Sequence, residues 1–385
     1  MKRSHREVKL SEFVFFLGWA LFLTSYTFLS ASEVRYLLDV TLLYKIIKAI
    51  IATIFVLKII FLDKNTYKRI IVYSFIVILL LINSLFIDNN TLFFTVLVIL
   101  SAKNIDYKRF VQNDLRIRIA LVVLIMSLSA LGILPNFTRI INGSVKQAFG
   151  FVHPNVLCFY IITILLELLF LRKKINARLV IVNIVAILFM ILFCYSRTAV
   201  LTYVVIVAID IIVNKKTKYI ANKIVRFIIV ALPILLAIFS FYSVIKYGEG
   251  DNTMKYINKV STTRISNGYK YYKEYGISLY GKKIETNSTR SALADGGDIR
   301  ILDMGYLRIG IENGAIILVL FVLLLCLLLR GAINEKQFSL VLICLFYIVT
   351  GLTETNLYNI AINISLLSAV ELLTRKKKRL PETMS

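Results

Sequence analysis

The chain has 385 residues, of which 58% are hydrophobic and only 18% are charged, whereas a soluble domain has about 25% charged residues. Its mean hydropathy is +0.79. One water-soluble core cannot bury so much apolar surface, so the composition excludes a soluble enzyme, a secreted domain and a disordered chain. It predicts an all-α polytopic membrane protein.

Twelve apolar runs are candidates for membrane-spanning helices, since about 20 residues cross the hydrocarbon layer. In chain order they are 11–30, 38–62, 70–86, 91–102, 119–134, 156–171, 179–194, 198–213, 227–246, 305–329, 339–351 and 360–374. The fourth and eleventh are short, and the fourth is either tilted or partly re-entrant. The predicted organisation is helices 1–9 (residues 1–246), one large extracytoplasmic loop before helix 10 (247–304), and helices 10–12 with a basic tail (305–385).

The formal net charge of +24 comes from cations that punctuate the apolar runs, which indicates topology rather than nucleic-acid binding. Alternate connections on one side, with both termini, carry 28 cations, whereas the short connections on the other side carry four. The positive-inside rule then places both termini in the cytoplasm. The basic tail Arg375–Arg379 is expected to lie on anionic lipid there.

The cysteines and histidines predict no metal centre. Each of the four cysteines lies within an apolar run, where it is expected to be a small buried side chain rather than a disulfide or zinc ligand. His5 and His153 are the only histidines, which excludes a multi-histidine metal site. No metal and no cofactor is predicted.

The predicted outer side collects the residues that indicate chemistry. Before the sixth run, Gly150 permits a turn and Pro154 suits a helix start. His153 and Asn155 would then lie beside a helix N-terminus, which favours anions; a capped, solvated helix start is the alternative.

Arg197 lies in a very short connection between two apolar runs, where its guanidinium favours a phosphate-like partner over a snorkelling position among headgroups.

The long loop mixes cations with five tyrosines between 269 and 280. Such a mixture binds polyanions or offers ring faces to sugars, although a solvated loop over headgroups has the same composition. At its end, Asp303 is either a general base or the N-cap of the tenth run. Within the second run, Lys45 and Lys48 either line a polar groove or pair with an acid.

Four features of the segment 139–314 resemble, in order and spacing, the bacterial O-antigen polymerase and ligase superfamily. They are Gly150 followed by His153-Pro154-Asn155, Ser196-Arg197-Thr198-Ala199 at the start of an apolar run, a large outer loop two spans later, and Asp303-x-x-Tyr306-Leu307 with Gly314. The predicted topology is similar along the whole chain. Ligases of this superfamily usually carry His-Asn where this chain has Asp303-Met304. The resemblance is therefore to the capsular or exopolysaccharide repeat-unit polymerases, and a histidine base is in doubt.

The resemblance implies a metal-independent glycosyltransferase of the bacterial plasma membrane that joins undecaprenyl-diphosphate-linked oligosaccharides on the extracytoplasmic face. Its expected partners are those oligosaccharides, membrane lipids and other polysaccharide-assembly proteins such as a flippase and a chain-length regulator, with no nucleic acid. A glycan ligase of the same superfamily is one alternative. A lipid-linked oligosaccharide flippase is another, but it requires charged residues lining the bundle and no large outer loop.

The same resemblance implies roles for particular residues. Asp303 is the first choice of catalytic base, His153 is the second, and Arg197 stabilises the departing diphosphate. The expected substrate-binding residues are Arg139, Lys146, Asn155, Arg264, Arg290, Arg300, Tyr306 and Glu354.

Overall fold

The computed structural model describes residues 5–141, 143–172, 176–194, 196–213, 222–287, 290 and 299–374. The described chain is mainly helical. Its α-helices are α1 His5–Leu29, α2 Val34–Leu37, α3 Thr41–Leu57, α4 Tyr67–Ile87, α5 Thr91–Ser101, α6 Tyr107–Ala130, α7 Pro154–Leu171, α8 Ala177–Phe193, α9 Arg197–Val213, α10 Lys223–Gly248, α11 Asn252–Val260, α12 Arg264–Tyr275, α13 Gly305–Arg308, α14 Ala315–Asn334, α15 Phe338–Thr350 and α16 Ser368–Thr374. Strands β1 (Thr138–Ile141) and β2 (Ser144–Gln147) form an antiparallel hairpin with Arg139 opposite Lys146.

Five helices are long and apolar enough to cross a membrane. They are Leu10–Leu29 within α1, Tyr67–Ile87, Pro154–Leu171, Lys223–Gly248 and Ala315–Asn334. Helices α4 and α10 expose large apolar side chains along their lengths, among them Phe75, Leu85 and Phe227. Such surfaces are unfavourable in water and suit a hydrocarbon solvent. The prediction of an all-α chain with membrane-type helices is confirmed at this level.

The interior of the bundle contains the shortest of the apolar runs. Helix α5 has 11 residues and is therefore about 16 Å long, well short of the hydrocarbon thickness. Its side chains are buried on nearly every face, including Thr95 and Ser101. The predicted shortness of the fourth run is confirmed. All four cysteines are also buried and unpaired, as expected.

Helix α6 begins at Tyr107, whereas the prediction placed the fifth span at 119. The prediction was wrong because Asp114 and Arg118 resemble the charges of a connection but pair inside the bundle, with Nη2 to Oδ2 at 2.8 Å. Trp19 Nε1 donates to Asp114 at 2.7 Å, and Arg118 Nε lies 3.6 Å from Glu167. The side chains of Asp114, Arg118 and Glu167 are fully buried.

The predicted continuous span 360–374 was also wrong. Two short 3-10 helices, Thr355–Tyr358 and Ile364–Leu367, precede α16. Non-helical backbone in an apolar interior needs hydrogen-bond partners, and side chains of other helices supply them. Thr95 donates to the Tyr358 carbonyl at 2.7 Å, Tyr347 to that of Ile362 at 2.7 Å, and Arg118 to that of Ala361 at 2.9 Å.

The predicted tenth span, 305–329, is interrupted. Helix α13 continues into a π-helical turn, Ile309–Asn313, and α14 starts after Gly314. Gly314 has φ of +99°, and a Cβ there would lie 2.4 Å from the Leu279 carbonyl oxygen. Glycine therefore lets the preceding loop lie directly against the helix start, where Ala315 N donates to Ser278 O at 2.9 Å.

The segment 247–304, predicted as a loop, contains α11 and α12. Its apolar side chains pack against the end of α10 and against α13 in a small second core, which includes Val244, Ile265, Tyr271, Met304 and Leu307. The described part of this segment is therefore a helical cap on one end of the bundle. The predicted basic tail Arg375–Arg379 lies outside the described residues.

Candidate active site

Five segments meet beneath this cap, at what we call the site end: the starts of α7, α9 and α12, the chain before α13, and the turn after α15. Arg264, the first residue of α12, lies at their centre. Its Nη2 is 2.6 Å from Glu354 Oε1, its Nε is 3.8 Å from Asp303 Oδ2, and its Nη1 is 3.5 Å from Thr198 Oγ1. One guanidinium thus contacts two carboxylates and a hydroxyl from three distant parts of the chain.

The local sequence explains why Arg264 is held in this position. Thr262 and Thr263 adopt left-handed φ values of 54° and 63°, which turns the chain sharply between α11 and α12. The Asn258 side chain accepts a hydrogen bond from Ser266 N at 2.9 Å and secures that turn. A Cβ at Gly268 would lie 2.8 Å from Met304 Sδ, so this glycine lets α12 approach the segment that carries Asp303.

Glu354 is the buried carboxylate of the site, with 7% of its side chain exposed. Asn155 Nδ2 donates to both of its oxygens at 3.1 Å. Burial raises the pKa of Glu354 to about 7, Arg264 opposes the shift, and the nearby Asp303 adds to it. Since its oxygens are already occupied by Arg264 and Asn155, Glu354 orients these two side chains. The prediction that Glu354 positions sugars directly is not supported by this geometry.

Asp303 is the accessible carboxylate, with 40% of its side chain exposed. The protein packed around it raises the pKa of its carboxyl, whereas Arg264 and Arg308 act to lower it. The N-cap residue of α13 is Met304, and no side chain accepts a capping hydrogen bond there, so Asp303 is not the N-cap. Between the two carboxylates on Arg264, Asp303 is the one that a substrate can reach.

His153 is the N-cap of α7, and its Nδ1 accepts the Asn155 backbone N–H at 3.1 Å. Burial, with the nearby cations Arg139 and Arg264, lowers the pKa of His153 to about 4. The ring is therefore neutral at pH 7, and since Nδ1 is an acceptor the proton resides on Nε2. A ring in this state donates a hydrogen bond. This geometry favours a donor role for His153, because its one lone pair, on Nδ1, already accepts the Asn155 N–H; its predicted role as second choice of base stays a prediction.

Two further predicted arginines belong to the site end. Arg197 is the first residue of α9 and is exposed. It is adjacent to Thr198, which contacts Arg264 and lies 3.3 Å from the Thr353 hydroxyl. Arg139 lies on β1, close enough to His153 to influence its pKa. The site end is consequently rich in guanidinium groups.

Lys146 and Tyr306 have structural contacts instead. The Lys146 ammonium donates to the carbonyls of Ile191 and Leu192 at 3.0 and 2.9 Å, which stabilises the C-terminus of α8. Tyr306 is fully buried, and its hydroxyl donates to the Ile348 carbonyl at 3.0 Å. The prediction that Tyr306 binds a sugar was wrong because no part of its ring is accessible.

Arg290 and Arg300 also have other partners. Arg300 bonds Glu274 at 2.5 Å and Glu285 at 2.9 Å, which braces the chain after α12. Arg290 pairs with Glu33, and its Cζ lies 4.4 Å from the Tyr36 ring centroid. Of the four arginines predicted to bind substrate, the structure brings Arg264 to the carboxylates, and Arg290 and Arg300 pair elsewhere.

Sequence reasoning missed Arg308 and Glu312. Arg308 Nε donates to Glu312 Oε2 at 2.9 Å, and Glu312 accepts from Asn89 at 3.0 Å. Their i,i+4 spacing is a readable signal for a helical ion pair. Their place inside an assumed apolar span concealed it. After Arg264, Arg308 is the second guanidinium whose charge influences the pKa of Asp303.

Within the described residues, no group of three or more histidine, cysteine and acidic side chains is arranged to hold a metal ion. The chain matches no protein-family model, no curated protein and no solved structure.

Proposed function

We propose that the chain is a membrane glycosyltransferase that joins oligosaccharide repeat units carried on undecaprenyl diphosphate. The observation that carries the proposal is the site end itself, where Arg264 and the accessible Asp303 lie at one end of a bundle of apolar helices. A substrate with a diphosphate on a lipid tail and sugars in water fits such a place. The resemblance in the segment 139–314 supports the same activity.

The proposal includes twelve membrane segments with both termini in the cytoplasm of a bacterial cell. The site end would then face outwards, because it carries the sparsely cationic short connections. The cationic asymmetry of the connections supports this orientation. The short or broken segments, α5 and 355–374, would be enclosed by longer helices, which supply the hydrogen bonds that irregular backbone requires in a membrane.

In the proposed reaction, a hydroxyl of the acceptor sugar attacks the anomeric carbon of the donor glycan. Asp303 removes the hydroxyl proton while the new carbon–oxygen bond forms. The bond from the anomeric carbon to the diphosphate oxygen breaks, and undecaprenyl diphosphate leaves with the electron pair. Arg264 and Arg197 stabilise the negative charge that develops on it, a contribution of about 3 kcal/mol for one donor.

The remaining residues position these groups. Glu354 and Asn155 hold Arg264, and the neutral His153 donates from Nε2 to a substrate oxygen. Arg139 contributes positive charge near His153, and Arg308 contributes it near Asp303.

Complementation of a deletion strain tests the proposal. Loss of the gene is expected to abolish long surface glycan while single lipid-linked repeats accumulate on the outer leaflet. Arg264→Ala and Asp303→Asn are expected to reproduce this phenotype at normal protein abundance, with turnover lowered about a hundredfold. The matched control is Lys270→Ala, because Lys270 is exposed on the same helix as Arg264. Normal glycan length in both site variants would refute the proposal.

A flippase is the second candidate, because the structure buries the charged residues Asp114, Arg118 and Glu167 inside the bundle beside the non-helical segment 359–363. Charged side chains and broken helices within a bundle are also features of transporters. The deletion strain separates the two functions, since a missing flippase leaves the repeats on the inner leaflet. Loss of a ligase would instead leave finished polymer on undecaprenyl diphosphate.

A further inference from the structure

A second group of cations consists of Arg35 on α2 and Lys48 on α3. Lys48 donates from Nζ to Asn90 Oδ1 at 3.0 Å, and its Nζ lies 4.0 Å from the Tyr44 ring centroid. Both partners are uncharged. Lys48 is half-buried, whereas Lys45, on the same helix, is exposed.

Arg35, an exposed cation on α2, is close enough for its charge to influence Lys48. Among the described residues, neither side chain forms an ion pair with a carboxylate. Glu33, the acid nearest to Arg35 in sequence, is paired with Arg290. Lys48 is half-buried and Arg35 is exposed, so the charge of Lys48 is incompletely solvated beside a like charge, and an anion between the two cations lowers that cost. The sequence left open whether Lys48 pairs with an acid, and the structure shows uncharged partners.

This group is linked to the candidate active site through two tyrosines and does not belong to it. Tyr44 lies near Tyr26, whose hydroxyl accepts a hydrogen bond from Asn359 Nδ2 at 2.7 Å. Asn359 is five residues beyond Glu354, the partner of Arg264. The segment 354–359 therefore connects the two cationic groups, and tyrosine hydroxyls lie along the Lys48 side.

We propose that Lys48 and Arg35, with Tyr44 and Asn90, bind the phosphate groups of a second lipid-linked substrate, while Arg264 and its neighbours bind those of the first. This inference rests on the proposed function. A polymerase must hold two lipid diphosphates at once, and the acceptor keeps its diphosphate at the far end of its repeat unit. The acceptor phosphates thus need a separate site, at a distance from Asp303 set by the length of one repeat.

The composition of the second group suits an acceptor. No bond to the acceptor diphosphate breaks, so the site has to bind a constant charge and not an increasing one. A lysine ammonium with neutral donors such as Asn90 and Tyr44 provides that binding. The arginine-rich site around Arg264 is suited to the charge that grows on the donor diphosphate.

The test is equilibrium binding of radiolabelled farnesyl diphosphate to the purified full-length protein in phosphatidylcholine nanodiscs. We expect two molecules bound by the wild type and by Lys45→Met, which is the matched control on α3. Lys48→Met and Arg264→Ala are each expected to lose one of them, with affinity at that site lowered at least about tenfold. Lys48→Arg is expected to retain both and shows that the fold tolerates a change at this position.

Two molecules bound by Lys48→Met with wild-type affinity would overturn the inference. So would competition by phosphatidylglycerol as effective as that by farnesyl diphosphate, since the group would then be a site for ordinary lipid headgroups. The outcome is independent of glycan length in the deletion strain. Binding that depends on Lys48 together with normal glycan after deletion would refute the proposed function and leave a lipid-phosphate site.

Discussion

At the scale of single residues, the site depends on how Asp303 and Glu354 share one guanidinium. Glu354 is buried and its oxygens are occupied, whereas Asp303 is accessible. The two carboxylates thus have different tasks although both contact Arg264. Glu354 controls where the guanidinium lies, and Asp303 is available to a hydroxyl.

This division predicts a pH dependence. Because the pKa of Glu354 is raised to about 7, the carboxyl is protonated below that pH and attracts Arg264 less strongly. The polymerisation rate is therefore expected to rise as the pH increases through about 7. Glu354→Gln cannot ionise, so it is expected to lose that rise and to be about tenfold to a hundredfold slower at pH 8, the cost of a displaced catalytic group.

The rate of polymer formation by purified protein, measured between pH 5 and 9, checks this prediction. Glu249→Gln is the control, because Glu249 pairs with Lys246 on the surface and its profile is expected to match the wild type. A rise near pH 7 that persists in Glu354→Gln would assign the titration to another group, with Asp303 the first to examine.

The sequence predicted only some of the residues that form the site. Arg264 and Glu354 were both candidates, but their contact joins positions 90 residues apart. The cations of the cap segment look alike in the sequence, since each is a basic residue in a polar stretch. Folding of α11 and α12 decided that Arg264 reaches the carboxylates while Arg300 remains on the surface.

At the scale of elements, the segment 355–367 depends on side chains from other helices. One of these side chains, Arg118, is charged. It donates to the Ala361 carbonyl and pairs with the Asp114 carboxylate. Removing one partner of a buried ion pair leaves an uncompensated charge, which costs about 3–5 kcal/mol.

Arg118→Ala is accordingly expected to lower the thermal stability of the purified protein markedly. Arg116→Ala, an exposed change on the same helix, should alter the unfolding free energy by no more than about 0.5 kcal/mol. Thermal unfolding in detergent, followed by exposure of the buried cysteines to a fluorescent maleimide, measures both. Equal midpoints for the two variants would show that the buried pair contributes no net stability.

At the scale of the whole molecule, the cap α11–α12 and the connection between α14 and α15 are expected to lie on opposite sides of the membrane. The native cysteines are buried, so new cysteines can be labelled selectively. Lys255→Cys on α11 should react with a membrane-impermeant maleimide in intact cells. Lys336→Cys, beyond the end of α14, should react only after the membrane is permeabilised. Labelling of both from outside would refute the proposed orientation.

Composition alone determined that this chain forms apolar helices, because so few charged residues cannot cover a soluble core. The positions of the apolar runs in the sequence also predicted where most helices lie, since these runs end where polar residues begin. Only the tertiary structure decided where polar residues do not end a helix and where an apolar run is not helical. Asp114 and Arg118 lie inside the bundle because they pair with each other. Residues 355–363 are not α-helical, and side chains of other helices donate to their carbonyls. The tertiary structure also decided which arginine meets Asp303, since that depends on contacts between distant segments, which no local pattern encodes.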